Sequence, residues 1–159
     1  MRLTDLLSPE RVGIERASSE NFDKEQAIAR LAGMLGEREG ASTEEIARVL
    51  FEREQLQSTG IGEGVAIPHG ALPQLKEQVA ALLIVPAGVD FQAIDDAKVS
   101  ILFGVIGPKR ATGEHLKTLA RVSRLLRSKE FRARLVASAD ARAAFDLISA
   151  EETEKKGGP

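Results

Sequence analysis

Apolar residues are distributed along this chain in two patterns, one with helical spacing and one in short unbroken runs. Helical spacing predicts helices over about residues 23–39, 42–53, 112–126, 131–137 and 140–150. The unbroken runs have the length of strands and lie at 65–67, 80–85 and 99–106, with weaker candidates at 12–14 and 89–91. Helices and strands therefore alternate along the chain.

Two of the predicted strands, 80–85 and 99–106, are apolar at every position rather than at alternate positions. Such runs are typical of inner strands that are covered on both faces. We therefore predict an α/β fold: a single domain over 1–150 with a mixed central sheet of about five strands, flanked by helices on both faces. The charged, glycine-ended tail 151–159 is predicted to be disordered.

Polar residues mark the ends of the helices. Asn21 and Asp23 are candidate caps of the first helix, Ser42 of the second and the segment 138–140 of the last, and Gly40 is predicted to end the first helix. In the helix that begins near 112, a set of small and apolar residues at helical spacing is expected to face the core. These are Leu116, Leu119, Ala120, Ser123 and Leu126.

Composition narrows the class of protein. The chain has 159 residues and no cysteine, which excludes disulfides, thiolate zinc sites and cysteine nucleophiles. The N-terminus has no signal-peptide pattern, and the apolar runs are too short to span a bilayer. We therefore expect a cytoplasmic protein with no direct membrane insertion. The net charge of -2 gives no general attraction to nucleic acid.

The chain has only two histidines, His69 and His115. His69 follows the glycine-rich segment 60–64 and lies between Pro68 and Gly70. An unperturbed histidine offers a neutral, nucleophilic nitrogen near pH 7. The proline and glycine that flank His69 favour its exposure at the end of an apolar run rather than its burial inside the run. The simplest chemistry for such a residue is to accept a group and pass it on.

Several segments around His69 match a known signature in order and spacing. They are Arg53-Glu54, Ser58-Thr59-Gly60-Ile61-Gly62, Ala66-Ile67-Pro68-His69-Gly70, the segment 91–95 and the segment 114–119. Together they resemble the fructose/mannitol-type IIA domains of the bacterial phosphotransferase system, a family that includes the nitrogen-regulatory IIA proteins. The resemblance extends from near the N-terminus to about residue 150.

This resemblance implies phosphoryl relay through histidine. A phosphohistidine on a carrier protein, HPr or NPr, would donate to His69, with Nε2 as the accepting nitrogen, and Arg53 and His115 would assist. A phosphate-binding turn is implied at Ser58, Thr59, Gly60, Ile61 and Gly70, where hydroxyl and backbone N–H groups are candidate donors. No metal, nucleotide or other cofactor is implied, because the donor already carries a high-energy N–P bond.

Each site residue also has a plainer interpretation. Arg53 is consistent with a solvated helix arginine that pairs with Glu52 or Glu54, and His115 with a structural residue near a helix start. The segment 58–60 is consistent with a turn that only ends a helix.

Nine basic residues lie between 109 and 134, opposed by only two glutamates. This segment is consistent with a solvated helix face, and also with a docking surface for an acidic partner. A nucleic-acid site is not indicated, because no aromatic residues are interleaved with the charges.

Three functions remain open at this point. The first is a nitrogen-regulatory IIA protein that is phosphorylated on His69 and acts on target proteins. The second is a sugar-specific IIA component that passes phosphate to a IIB domain. The third is unrelated: a two-histidine, metal-dependent hydrolase whose further ligands would be Glu63, Asp95 or Glu114.

Overall fold

A mixed, six-stranded sheet forms the centre of the computed structural model, which describes residues 2–18, 20–36 and 40–157, with side chains to residue 153. The strands are β1 (Val12–Ile14), β2 (Gly60–Gly62), β3 (Val65–Ala66), β4 (His69–Leu72), β5 (Val79–Val89) and β6 (Val99–Pro108). Their order is β1-β5-β6-β3-β2, and β4 continues alongside β6 beyond β3. The pairs β5–β6 and β2–β3 are antiparallel, whereas β1 runs parallel to β5, and β3 and β4 run parallel to β6. The predicted mixed sheet is confirmed, with six strands.

Helices cover both faces of this sheet. They are α1 (Leu3–Leu6), α2 (Lys24–Leu35), α3 (Thr43–Leu56), α4 (Thr112–Leu125), α5 (Lys129–Val136) and α6 (Ala141–Gly157), with a 3₁₀ turn at Pro9–Arg11. One core lies between the sheet and α2 and α3, and the other lies between the sheet and α1, α4, α5 and α6. Consecutive residues of β5, such as Leu82 and Leu83, enter opposite cores. The unbroken apolar runs therefore reflect burial on both faces, as predicted.

The helices α2, α3 and α6 each have a cap among the predicted residues, and the N-cap of α2 is Asp23 rather than Asn21. Asp23 accepts a hydrogen bond from the Gln26 N–H, Ser42 from the Glu45 N–H, and Asp140 from the Ala143 N–H. The predicted end of the first helix was wrong: α2 ends at Leu35 because the next residue, Gly36, has a φ of 67°. Residues 37–39 of that prediction lie outside the described part of the chain.

The predicted core face of α4 was partly wrong. Leu126 is buried as expected, but Leu116 is 60% exposed and Ala120 is exposed. The buried positions of α4 are Thr118, Val122 and Leu125. Burial of the Thr118 hydroxyl is tolerated because it donates to the Glu114 carbonyl at 3.1 Å. A search for apolar residues at helical spacing does not identify a buried threonine.

Three strands differ from the prediction. β5 passes through Pro86 to Val89, with an irregular register between Ile84 and Val89, so 89–91 is not a separate strand. β2 and β4 were not predicted, because their few residues include three glycines and carry no apolar alternation. Both occupy positions beside the candidate site.

The prediction of a disordered tail from 151 was wrong for residues 151–157, which continue α6. The Glu152 carboxylate accepts hydrogen bonds from the backbone N–H groups of Leu3 at 2.7 Å and Thr4 at 3.1 Å. These bonds satisfy two free donors at the start of α1 and so link the two ends of the fold. Residues 158–159 lie outside the described part. In the ranges described, no helix has the length and apolar character that crossing a membrane requires.

Candidate functional site

His69 is the first residue of β4 and is partly buried at the edge of a cleft. Its Nδ1 lies 2.7 Å from the carbonyl oxygen of Ile67. Because a carbonyl oxygen only accepts hydrogen bonds, Nδ1 must carry the proton. In the neutral ring the lone pair therefore lies on Nε2, the nitrogen that the family resemblance indicated.

His115 comes to the same place from the first turn of α4. The centroids of the two imidazole rings are 5.6 Å apart, and the ring planes are inclined by 50°. Nδ1 of His115 is buried without a hydrogen-bond partner and lies over β6, 3.6 Å from where a Cβ on Gly107 would sit. The two histidines thus meet although they come from different elements.

Arg53 lies in the last turn of α3 and lines the clefts on both sides of His69. Its Nη1 donates to the Gln57 carbonyl at 2.8 Å, which holds the guanidinium near the end of its own helix. A cation therefore lies beside the His69 ring.

The simple pairing of Arg53 with a neighbouring glutamate is not observed. Glu52 pairs with Arg48 at 3.1 Å, and Glu54 pairs with Lys24 at 2.8 Å. The plainer interpretation, in which Arg53 pairs with Glu52 or Glu54, was therefore wrong.

Two open clefts adjoin His69. The first, of about 600 Å³, lies between the segment 57–61, Ile94 and the α4 residues Leu119 and Ser123. The second, of about 550 Å³, is lined by residues that include Lys109, Thr112 and His115. His69 and Arg53 line both clefts, so they stand on the ridge between them, where a group on a docked partner can reach them.

Four large apolar side chains are exposed among the described residues, and we call them the apolar rim. They are Leu56 (83% exposed), Ile61 (48%), Ile94 (81%) and Leu116 (60%). The first three line the two clefts, and Leu116 follows His115 in α4. The sequence analysis did not identify this surface, because an exposed leucine has no mark in the sequence that distinguishes it from a buried one.

The turn before β2 is held together by its own polar groups. The Ser58 hydroxyl donates to the Phe91 carbonyl at 3.0 Å and accepts from the Gly60 N–H at 3.1 Å. The Thr59 N–H and hydroxyl both donate to the Glu54 carboxylate. These donors are therefore used within the protein, and phosphate binding at this turn stays a prediction.

Gly70 permits the close approach of α3 to β4. A Cβ at this position would lie 2.3 Å from Cγ1 of Val49, which real carbon atoms do not tolerate. We expect Gly70→Ala to reduce the free energy of unfolding by about 1–3 kcal/mol through overpacking. Val49→Ala in the same chain should recover part of that loss, because it removes the clashing methyl groups. Urea unfolding of the four proteins in this cycle measures the coupling, and purely additive effects would contradict it.

Burial lowers the pKa of both histidines. For His69, burial is the largest cause; the bond to Ile67 opposes it, the Arg53 cation lowers the pKa further, and Glu54 raises it. For His115, burial lowers the pKa first and the charge of a protonated His69 lowers it further. Both rings are therefore held in the neutral form that a nucleophile requires.

These lowered pKa values predict a pH dependence of stability. Below the ordinary histidine pKa of 6.5, the unfolded chain binds more protons than the folded protein. The free energy of unfolding should therefore fall as pH decreases from about 7 to about 5. In the double variant His69→Ala/His115→Ala, the free energy of unfolding should fall less steeply with decreasing pH. The comparison by urea unfolding isolates the histidines, because both proteins contain the same carboxylates. Identical slopes would contradict the assignment.

The hydrolase alternative finds no support in the ligand geometry. Asp95 accepts hydrogen bonds from the N–H groups of Glu63 and Ala97, and the Glu63 carboxylate binds Arg132 at 3.1 Å. Within 2–18, 20–36 and 40–157, no three histidine, aspartate or glutamate side chains form a group that could hold a metal ion.

Comparison with known proteins agrees with this geometry. The profile of the phosphoenolpyruvate-dependent sugar phosphotransferase system EIIA 2 family matches residues 6–151. The chain is 38% identical to a nitrogen regulatory protein of Bradyrhizobium diazoefficiens, over 94% of this chain and 95% of that one. It is 30% identical to the fructose-specific EIIABC component of Bacillus subtilis, over 94% of this chain and 23% of that protein.

A solved structure shows the same fold. The crystal structure of the nitrogen regulatory protein IIA-Ntr from Neisseria meningitidis superposes with a TM-score of 0.83 at 28% identity, over 92% of this chain and 98% of that one. The family match covers most of the chain, including both histidines and Arg53. The chain therefore belongs to the EIIA type 2 family of the phosphoenolpyruvate-dependent sugar phosphotransferase system.

Proposed function

We propose that this protein accepts a phosphoryl group on Nε2 of His69 from a phosphohistidine carrier of the HPr or NPr type. The observation that carries the proposal is the bond from Nδ1 of His69 to the Ile67 carbonyl, because it leaves the Nε2 lone pair free. The ring stands between two clefts, beside a fixed cation and a second imidazole. This is the arrangement that a nucleophilic acceptor of phosphate requires.

The reaction follows from these groups. The Nε2 lone pair attacks phosphorus in line with the N–P bond of the donor, which breaks and leaves its electron pair on the donor ring. The positive charge that develops on His69 is stabilised by the bond from Nδ1–H to Ile67. Arg53 suits the phosphoryl oxygens because its planar guanidinium presents several donors. Nε2 of His115 is the nitrogen left to meet the phosphoryl group, since Nδ1 faces β6.

The apolar rim supports docking of a protein as donor. Soluble proteins seldom group their exposed large apolar side chains, and such groups mark interaction surfaces. Here Leu56, Ile61, Ile94 and Leu116 are grouped around the two histidines. A carrier seated on this rim would bring its phosphohistidine to the ridge that bears His69.

Of the two family functions, we favour the regulatory one, in which phosphorylation of His69 controls binding to target proteins. Its support is the 38% identity to a nitrogen regulatory protein over nearly the full length of both chains. The alternative is a sugar-specific component that transfers phosphate to a IIB domain. Its support is the 30% identity to part of a fructose-specific component.

The acceptor proposal is tested by incubating the protein with enzyme I, phosphoenolpyruvate and either HPr or NPr, and measuring its intact mass. We expect one acid-labile phosphate, which fragmentation assigns to His69. Omission of the carrier is the control. No gain in mass with either carrier would overturn the proposal, and an acid-stable phosphate would indicate a hydroxyl acceptor instead.

The two family functions are separated by following the phosphate onward. The phosphorylated protein is mixed with IIB domains of the fructose and mannitol systems, and the label is followed in each protein. The regulatory function predicts that the label stays on His69 and that complexes with target proteins depend on it. Rapid transfer to a IIB domain would favour the sugar-specific function.

A further inference from the structure

A buried ion pair lies behind the site, and the sequence analysis assigned no role in the site to either of its residues. Nζ of Lys24, from α2, is 2.8 Å from Oε1 of Glu54, from α3, and the two side chains are only 20% and 4% exposed. Lys24 also lies over the ring of Phe91, 4.9 Å from its centroid. An ion pair this deeply buried contributes little to stability on average, because desolvation offsets the attraction. Its position beside the turn that precedes β2 indicates a role in positioning that turn.

The Glu54 carboxylate organises the turn that follows α3. It accepts hydrogen bonds from the Thr59 N–H at 3.1 and 3.0 Å, and Oε2 accepts from the Thr59 hydroxyl at 2.5 Å. Together with Lys24, these donors occupy both carboxylate oxygens. Both the backbone and the side chain of Thr59 are therefore held by Glu54.

The chain of hydrogen bonds continues from this turn to His69. The Thr59 carbonyl accepts from the Ile67 N–H at 3.0 Å, and the Ile67 carbonyl accepts from Nδ1 of His69 at 2.7 Å. Ile67 is therefore held at its N–H by the turn and offers its carbonyl to the ring. Pro68, which follows, has no N–H, so it supplies no competing donor there.

We propose that Glu54, with Lys24 as its counter-ion, is a positioning residue that holds His69 in the Nδ1-protonated tautomer through Thr59 and Ile67. The consequence for phosphoryl transfer rests on the proposed function, whereas the tautomer is a property of the unphosphorylated protein. Fixing the proton on Nδ1 keeps Nε2 unprotonated and aimed at the ridge between the clefts. A ring free to exchange tautomers would present a protonated Nε2 for part of the time.

The first measurement uses nitrogen NMR of histidine-labelled protein, which distinguishes the two neutral tautomers of each ring. In the unchanged protein, we expect His69 to be almost wholly protonated on Nδ1. Glu54→Ala removes every acceptor for Thr59 and should give a mixture of tautomers. Glu54→Gln keeps one oxygen acceptor on a side chain of the same length as glutamate. This variant should therefore retain more of the native His69 tautomer than Glu54→Ala.

The second measurement is the initial rate of phosphorylation by the carrier. Misplacement of the nucleophile should reduce this rate by roughly tenfold for Glu54→Ala, with a smaller loss for Glu54→Gln. The order of the two variants should match the order of their tautomer fractions. A purely structural role for Glu54 would lower stability without changing the tautomer of the molecules that remain folded.

Ile148→Ala is the matched control for loss of stability. Ile148 is fully buried in the core beneath α6, which contacts β1 at the opposite edge of the sheet from the site. This variant should lower the urea midpoint while leaving the His69 tautomer and the rate per folded molecule unchanged. Rates are compared under conditions in which each variant is folded by circular dichroism.

The result that would overturn the proposal is a native His69 tautomer in folded Glu54→Ala. If Glu54→Ala does not fold, Thr59→Val is used instead, because it removes the hydroxyl that bonds to Glu54 and changes the volume little. A native His69 tautomer in both Thr59→Val and Glu54→Gln would then overturn the proposal. Failure of the proposed function is distinguishable, because the NMR measurement requires no phosphate donor. A normal tautomer in a wild-type protein that takes up no phosphate would contradict the function alone.

Discussion

Replacement of His69 by alanine is expected to abolish phosphate uptake and to leave the fold intact. The ring supplies the nucleophilic nitrogen of the proposed reaction, with its proton on Nδ1 and its lone pair on Nε2. The side chain is partly exposed at the ridge between the clefts, so its loss should change the free energy of unfolding by only about 1 kcal/mol. Transfer of labelled phosphate measures the first effect, and urea unfolding measures the second.

His115→Ala is the matched control for this result. It removes the other imidazole, whose ring centroid is 5.6 Å away, and should slow phosphorylation without preventing it. Uptake of label by His69→Ala at the wild-type stoichiometry would disprove the assignment of the acceptor. Complete loss in His115→Ala, with uptake retained in His69→Ala, would identify His115 as the acceptor.

Replacement of Arg53 by alanine is expected to slow phosphoryl transfer by about 100- to 1,000-fold, the usual cost of removing one preorganised donor. The guanidinium lines both clefts and is already held near His69 by its bond to the Gln57 carbonyl. Arg53→Lys should recover only part of the rate, because an ammonium group keeps the charge but lacks the planar fork. Single-turnover transfer from the phosphorylated carrier measures each rate.

Arg48→Ala on the same helix is the control for a general effect of charge. Arg48 is exposed, pairs with Glu52 and does not line either cleft. Its loss should leave the transfer rate within about twofold of the wild type, because exposed pairs contribute little. Equal rates for Arg48→Ala and Arg53→Ala would show that Arg53 is a surface residue without a role in transfer.

The sequence by itself determined the layered α/β fold and most of its helices. The unbroken apolar runs of β5 and β6 predicted two-sided burial, and the polar caps at Asp23, Ser42 and Asp140 predicted where helices begin. Both signals are local: an apolar run and a helix-capping residue are each recognised from residues close together in the chain. The motif around His69 is equally local, so the candidate nucleophile could be identified from it.

Only the tertiary structure decided how the site is assembled. It brings His115 to His69 across two elements, turns Leu116 of α4 outward to join the apolar rim, and places Lys24 behind the turn that orients His69. The family resemblance implied His115 at the site, but the exposed Leu116 and the position of Lys24 were not predicted, because each depends on the packing of distant segments. A glutamate such as Glu54 has the same helix position whether it faces water or a lysine of another helix, and only packing distinguishes the two.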